Sequence, residues 1–272
     1  MGAAESTDAG GSSKRKVAIG AAVTSGGRRN HSVDAVKLKN EVIDRGGAEY
    51  ETYASSCVSA MRAKYNAAPD GHKVEVKFEC QDGSWQTVYM FALEHGTLTD
   101  ERTECLVNAA NPAVNSGGAG INLAIPQKFP NGKWEDVEGF DKAIRLSPSD
   151  IFSHPEPPAS KGESVGKPPI VIQACGPDAG KGEPIDLLRG CYIKIARMMT
   201  SLWAQTVIQT CISTAIFRHD PAKCAQISVE STRDGFNGTA PISANWRRWL
   251  AGPTCAAFRR KGNGETGYAV DR

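Results

Sequence analysis

No apolar run in this chain approaches the roughly 20 residues that a membrane-spanning helix needs, so the sequence offers no transmembrane segment. Net charge is almost absent too: 32 Lys+Arg against 30 Asp+Glu leave +2 with His neutral. A field that weak predicts neither specific nucleic-acid binding nor strong attraction to an anionic membrane. The CxxC spacing is missing among the 8 cysteines, most of which fall inside apolar runs. They are expected as reduced core thiols of an intracellular protein, cytoplasmic and/or nuclear, rather than as a disulfide or zinc framework. His31, His72, His95, His154 and His219 lack metal-ligand spacing, and no metal site is expected. Neither GxSxG nor HExxH occurs. GPDAGKG (176–182) falls one residue short of a P-loop between its glycines and has Gly182 after the lysine. Gly118 and Gly120 are followed by Leu123 where a dinucleotide fingerprint needs its third glycine.

What is present describes an ordinary globular chain of 272 residues, 40% hydrophobic and 23% charged. That is one large domain, or one domain with added ends, expected as a monomer. Residues 1–35, rich in Gly, Ser, Ala and Thr, are expected as a disordered tail. MGAAES fits the myristoylation pattern through Gly2 and Ser6, but the pattern is short and common, and a plain small-residue start is the favoured expectation. VAIGAAV (17–23) is too short and too late for a secretory signal. Residues 36–72 read as a helical extension, with Tyr53, Cys57, Ala60, Met61 and Lys64 on one stripe and Pro69-Asp70-Gly71 as its stop. The main domain is expected over 73–250, followed by a basic, Gly-rich tail over 251–272.

Within the domain, Val74, Val76 and Phe78 alternate with charged residues, and Val88, Met90 and Ala92 resume the pattern after a turn at 81–84. CLV (105–107), IVIQAC (170–175) and TVIQTCIST (206–214) are expected as further strands. Helices are expected over 185–203 and 220–231, the latter with Pro221 in its first turn. An amphipathic helix over 134–146 is possible through Trp134, Val137 and Ile144, and HPEPPASKGESVGKPP (154–169) is read as loop. Trp246, Trp249 and Leu250 suggest a docking helix. Strands alternating with helices predict an α/β three-layer sandwich.

Two loops lie at strand carboxyl ends, where open α/β sheets bind ligands. They are NAANPAVNSGGAG (108–120) and STAIF (213–217). Gly117, Gly118 and Gly120 let backbone N–H groups approach an anion, with a helix N-terminus behind them. Asn108 and Asn111 offer donors and acceptors that suit a diol or carbonyl. Ser213 and Thr214 add short donors, and Phe217 an aromatic cover. Turn closure alone needs one or two glycines and explains neither asparagine.

CLVNAAN (105–111), SGGAGI (116–121), IVIQACGP (170–177), LLRGCY (187–192) and TCISTAIF (210–217) with Pro221 together resemble a divergent macrodomain, the ADP-ribose-binding module, over about residues 74–235. The resemblance implies an α/β/α sandwich with a mixed central sheet, carrying N- and C-terminal extensions. It implies that Asn111 contacts the distal ribose. Gly118, Ala119, Gly120 and Ile121 would then give N–H groups to that ribose and the diphosphate. Ser213, Thr214, Ala215, Ile216 and Phe217 would close the other side. No resident cofactor is implied, ADP-ribose being ligand or product and an ADP-ribosylated protein the partner.

Three departures stand out. Gly96-Thr97-Leu98 replaces the family's Gly-Asp-Ile, so Thr97 takes the place of an adenine-binding aspartate. Losing such a charged hydrogen bond costs on the order of 1.5–3 kcal/mol. Asn122 stands where hydrolysing members carry an aspartate, and an amide takes no proton as a base. Ala215 replaces the second loop's usual glycine, at a cost of about 1 kcal/mol if that position needs positive φ. The favoured expectation is binding of ADP-ribose or ADP-ribosylated protein. The alternatives are a hydrolase for ADP-ribosylated acidic side chains or O-acetyl-ADP-ribose, with Asn111 and Asn122 as its candidate catalytic residues, and a degenerate module acting in protein contacts.

Overall fold

The computed structural model describes residues 22–23, 48–93, 101–118, 120–128, 143–155, 170–202, 204–239 and 254–259. In chain order these form β1 (Ala22–Val23), α1 (Ala48–Ala67), β2 (Lys73–Glu79), β3 (Trp85–Leu93), β4 (Cys105–Ala109), α2 (Ile121–Lys128), β5 (Ile151–Pro155), β6 (Ile170–Ala174), α3 (Leu187–Leu202), β7 (Thr206–Thr210), α4 (Pro221–Phe236) and β8 (Thr254–Arg259), with a 3₁₀ turn at Ala179–Lys181 before α3.

The strands make one mixed sheet in the order β1-β5-β6-β4-β7-β8-β3-β2. Its centre is parallel: β4 pairs with β6 and β7, and β8 with β7 and β3. Its margins are antiparallel, β2 against β3 and β5 against β6 and β1. Each central strand feeds both faces, as period-2 geometry requires. In β4, Cys105 and Val107 join the core under α3 and α4, whereas Leu106 joins Met61 of α1 and Ile125 of α2 on the other face. The result is an α/β/α sandwich. α3 buries Leu188, Cys191, Tyr192, Ile195 and Met199, the stripe its spacing predicts. Gly235 lets α4 approach α3 closely, since a Cβ there would lie 2.7 Å from the Ala196 methyl.

The β2–β3 hairpin matches its alternation, with Val76 and Phe78 buried and Glu75, Lys77 and Glu79 outward. Phe78 stacks on Phe236 of α4 at 5.0 Å. α1 docks through Tyr53, Ala54, Cys57 and Met61. The Tyr53 hydroxyl donates to the Thr103 carbonyl at 2.7 Å, and Lys64 pairs with Glu101.

Several boundaries move. The described helix of the N-terminal extension starts at Ala48. β7 ends at Thr210, because the chain turns at Cys211. α4 runs on to Phe236. β5 lies where an irregular stretch was expected. β1 falls within the expected tail 1–35, where Ala22 and Val23 pair antiparallel with Phe152 and Ile151 of β5. β8 falls within the expected C-terminal tail, between β7 and β3. Most of 134–146 lies outside the described residues, as do Trp246, Trp249 and Leu250; Ala143–Leu146 is non-helical, and Leu146 is buried beneath the first loop.

Candidate functional site

β4 and β7 are parallel neighbours, so the loops that follow them leave the same end of the sheet side by side. β6 flanks β4 on the other side and ends there too. The turn after β6 is therefore a third wall of the site, one the two-loop reading missed. Its sequence signal was Gly176-Pro177 directly after a fully buried strand. A Cβ on Gly176 would lie 2.1 Å from Ser213 Oγ and 2.5 Å from Ile212 Cγ2, so the second loop packs onto this backbone. The Ala179 N–H donates to the Phe217 carbonyl at 2.9 Å, tying the same turn to the loop's far end.

In the first loop, Gly117, Gly118 and Gly120 have φ of 114°, 85° and 63°. Side chains rarely adopt these values, and among the described residues a Cβ at each would meet nothing within 4 Å. The glycines thus serve conformation, and no described residue fills the space above them. α2 starts at Ile121, and its first N–H groups have no intrahelical acceptor. Val114 is also left-handed at φ 53°, held there by complete burial against Leu146, Phe152 and Cys175.

The asparagines are already engaged. Asn111 Nδ2 donates to Asn115 Oδ1 at 2.6 Å and to the Asn115 carbonyl at 3.1 Å, while its Oδ1 accepts from Ala113 N–H at 3.0 Å. Asn108 is fully buried. Its Nδ2 donates to Asn122 Oδ1 at 2.7 Å and Gln173 Oε1 at 2.6 Å, and its Oδ1 has no partner among the described residues. Asn122 Nδ2 donates to the carbonyls of Asn115 at 2.9 Å and Gly117 at 2.5 Å. In this geometry both candidate catalytic residues hold the loop.

The second loop presents Ala215 and Ile216 outward, Ile216 being 59% exposed. Thr214 and Phe217 are half-buried. Thr214 Oγ1 donates to the Cys211 carbonyl at 2.9 Å. Positive φ falls on Ser213 (70°) and Arg218 (58°), and Ala215 is free of that strain. Ser213 is buried, and its Oγ has no partner among the described residues. Thr97, Leu98 and Ala119 lie outside the described residues.

The core thiols behave as expected. Burial pushes Cys57, Cys175, Cys191 and Cys224 up to about 12. No cluster of three potential metal ligands occurs among the described residues, nor any helix long and apolar enough to cross a membrane. A cavity of about 620 Å³ opens farther along the same sheet end, lined by Tyr65, His72, Lys73, Met90, Ser228 and Cys211 among others. Of these only Cys211 borders the loops described above.

An α/β/α sandwich whose adjacent parallel strands end in a glycine loop and a Ser-Thr loop belongs to the class that binds ligands at the sheet's carboxyl end. No protein-family model matches the chain. A macro domain-containing protein of Streptomyces nogalater is 28% identical over 144 residues, covering 52% of this chain and 76% of that protein. In its motif order and in this sheet the chain is similar to a divergent macrodomain. Similar solved structures include a Trypanosoma brucei macrodomain in complex with ADP-ribose (19% identical, TM-score 0.42, covering 63% of this chain and 62% of that one). An Oceanobacillus iheyensis macrodomain with ADP is 17% identical, with a TM-score of 0.43, covering 69% of this chain and 88% of that one. The chain thus spans under two thirds of the trypanosomal protein. Likeness at this level assigns no residue role.

Proposed function

We propose that the protein binds ADP-ribose, free or attached to a protein, with no resident cofactor. The observation that carries this reading is the run of left-handed glycines at the start of α2, with no described residue filling the space above them. Backbone N–H groups there suit a diphosphate, and the helix terminus favours its charge. Beside them, the second loop presents the exposed Ile216 as a cover, while the Ser213 hydroxyl is buried and the Thr214 hydroxyl is held by the Cys211 carbonyl. Solved macrodomains that bind ADP or ADP-ribose support the ligand class.

Binding is favoured over hydrolysis by the state of Asn111 and Asn122. Both are amides whose donors are committed to the loop, with the Asn122 oxygen accepting from Asn108 of β4, and neither accepts a proton as a general base does. The test is calorimetric titration with ADP-ribose, with AMP and ATP as controls. Micromolar, ADP-ribose-selective binding is expected. Gly118→Glu should abolish it, because a left-handed position then carries a carboxylate aimed at the diphosphate. Wild-type affinity in that variant would move the site elsewhere.

A further inference from the structure

Asn108 and Gln173 are register partners on β4 and β6, both completely buried. Asn108 Nδ2 donates to Gln173 Oε1 and to Asn122 Oδ1. Asn122 sits in the first turn of α2, 5% exposed. Its Nδ2 must face the loop, because the Asn115 and Gly117 carbonyls there can only accept. Its own backbone carbonyl accepts from the Gly117 N–H at 3.2 Å. Pro126, four residues on in α2, has no N–H to offer that carbonyl, which leaves it open to the loop. One neutral chain of amides therefore runs from the sheet to both sides of Gly117.

We infer that Gln173, Asn108 and Asn122 form a positioning relay that holds the glycine loop in its ligand-ready shape. Asn122 sets affinity at the site and takes no part in bond making. This rests on the ADP-ribose reading for its ligand, but the relay itself is a property of the ligand-free loop. An aspartate at 122 keeps one face of the contact and breaks the other. Its carboxylate still accepts from Asn108, but it meets two carbonyl oxygens where the amide donated. Only the protonated acid restores one of those bonds. Among the described residues, the groups bonded to this side chain, from Asn108, Asn115 and Gly117, do not titrate, so burial and the two carbonyls push the introduced carboxyl up.

The experiment measures ADP-ribose affinity of wild type and Asn122→Asp at pH 5.5 and pH 8, with amide hydrogen exchange of residues 115–121 in the ligand-free proteins. Wild-type affinity should stay flat. The variant should bind about tenfold or more weaker at pH 8 and recover to within about threefold at pH 5.5. Exchange in the loop should quicken in step at pH 8. A residue that merely supported the fold would show no such pH profile. If Asn122→Asp does not fold, Gln173→Leu serves, removing the relay's far acceptor; it should weaken binding about three- to tenfold at both pH values. Wild-type affinity and wild-type exchange in the variant would overturn the relay. If wild type itself binds no ADP-ribose, the ligand reading fails, and the exchange data alone decide the relay.

Discussion

Ser213 carries two local costs at once. Its backbone is left-handed at φ 70°, a conformation that costs a non-glycine residue about 1–2 kcal/mol. Its buried hydroxyl has no partner among the described residues, a further penalty of about 1–3 kcal/mol where no water serves it. Glycine at 213 removes both and gives back about 0.5–1 kcal/mol through the entropy of the unfolded chain. Ser213→Gly should therefore raise stability by about 1 kcal/mol or more, measured by urea unfolding. If the hydroxyl serves the ligand, ADP-ribose affinity should fall in the same protein. Sequence pattern marked Ser213 as a donor but raised backbone strain only at Ala215, and only if that position needed positive φ, because family spacing shows where a glycine usually stands and not where this loop turns. Asn122 was legible as a departure from an aspartate. Its partners were not, since they come from β4 and a loop five to seven residues back.

Among the elements, α1 shows how far periodicity reaches. Tyr53, Cys57 and Met61 recur every four residues, and all three are buried on the sheet. Met61 is completely enclosed with Phe91, Leu106 and Ile208. Met61→Ala should cost about 2–5 kcal/mol. A chain beginning near residue 70 should lose more, since Tyr53 and its bond to Thr103 go as well. Unchanged melting of that truncated chain would make α1 an appendage. β2 and β3 were legible because one face is wet and the other dry. β8 was not: TCAAFR shows no alternation, and its partners β7 and β3 lie far back in the chain. β5 was hidden by its brevity and by Pro155 at its end.

Across the whole molecule, the parallel centre of the sheet does two things. It brings three loops to one end, which strand order alone could reveal and the linear sequence could not. It also buries thiols at both faces. Cys57, Cys175, Cys191 and Cys224 each rise from 9.0 to about 12, with burial the largest cause in every case. Up to about pH 8.5 each thiol is mostly neutral in both states, so it adds little pH dependence to stability there. Between 9 and 12 the unfolded chain releases these protons while the folded one keeps them, and stability falls as pH rises. Each thiol contributes a slope of about 1.4 kcal/mol per pH unit, so all four set an upper limit of roughly 5–6 kcal/mol per unit. Urea unfolding from pH 7 to 10.5 should be level up to about pH 8.5 and then decline steeply. Cys224→Ala should make that decline shallower by about one thiol's share while leaving the level part level. An unchanged slope in that variant would mean that the alkaline loss comes from other groups and that Cys224 ionises in the fold as freely as outside it.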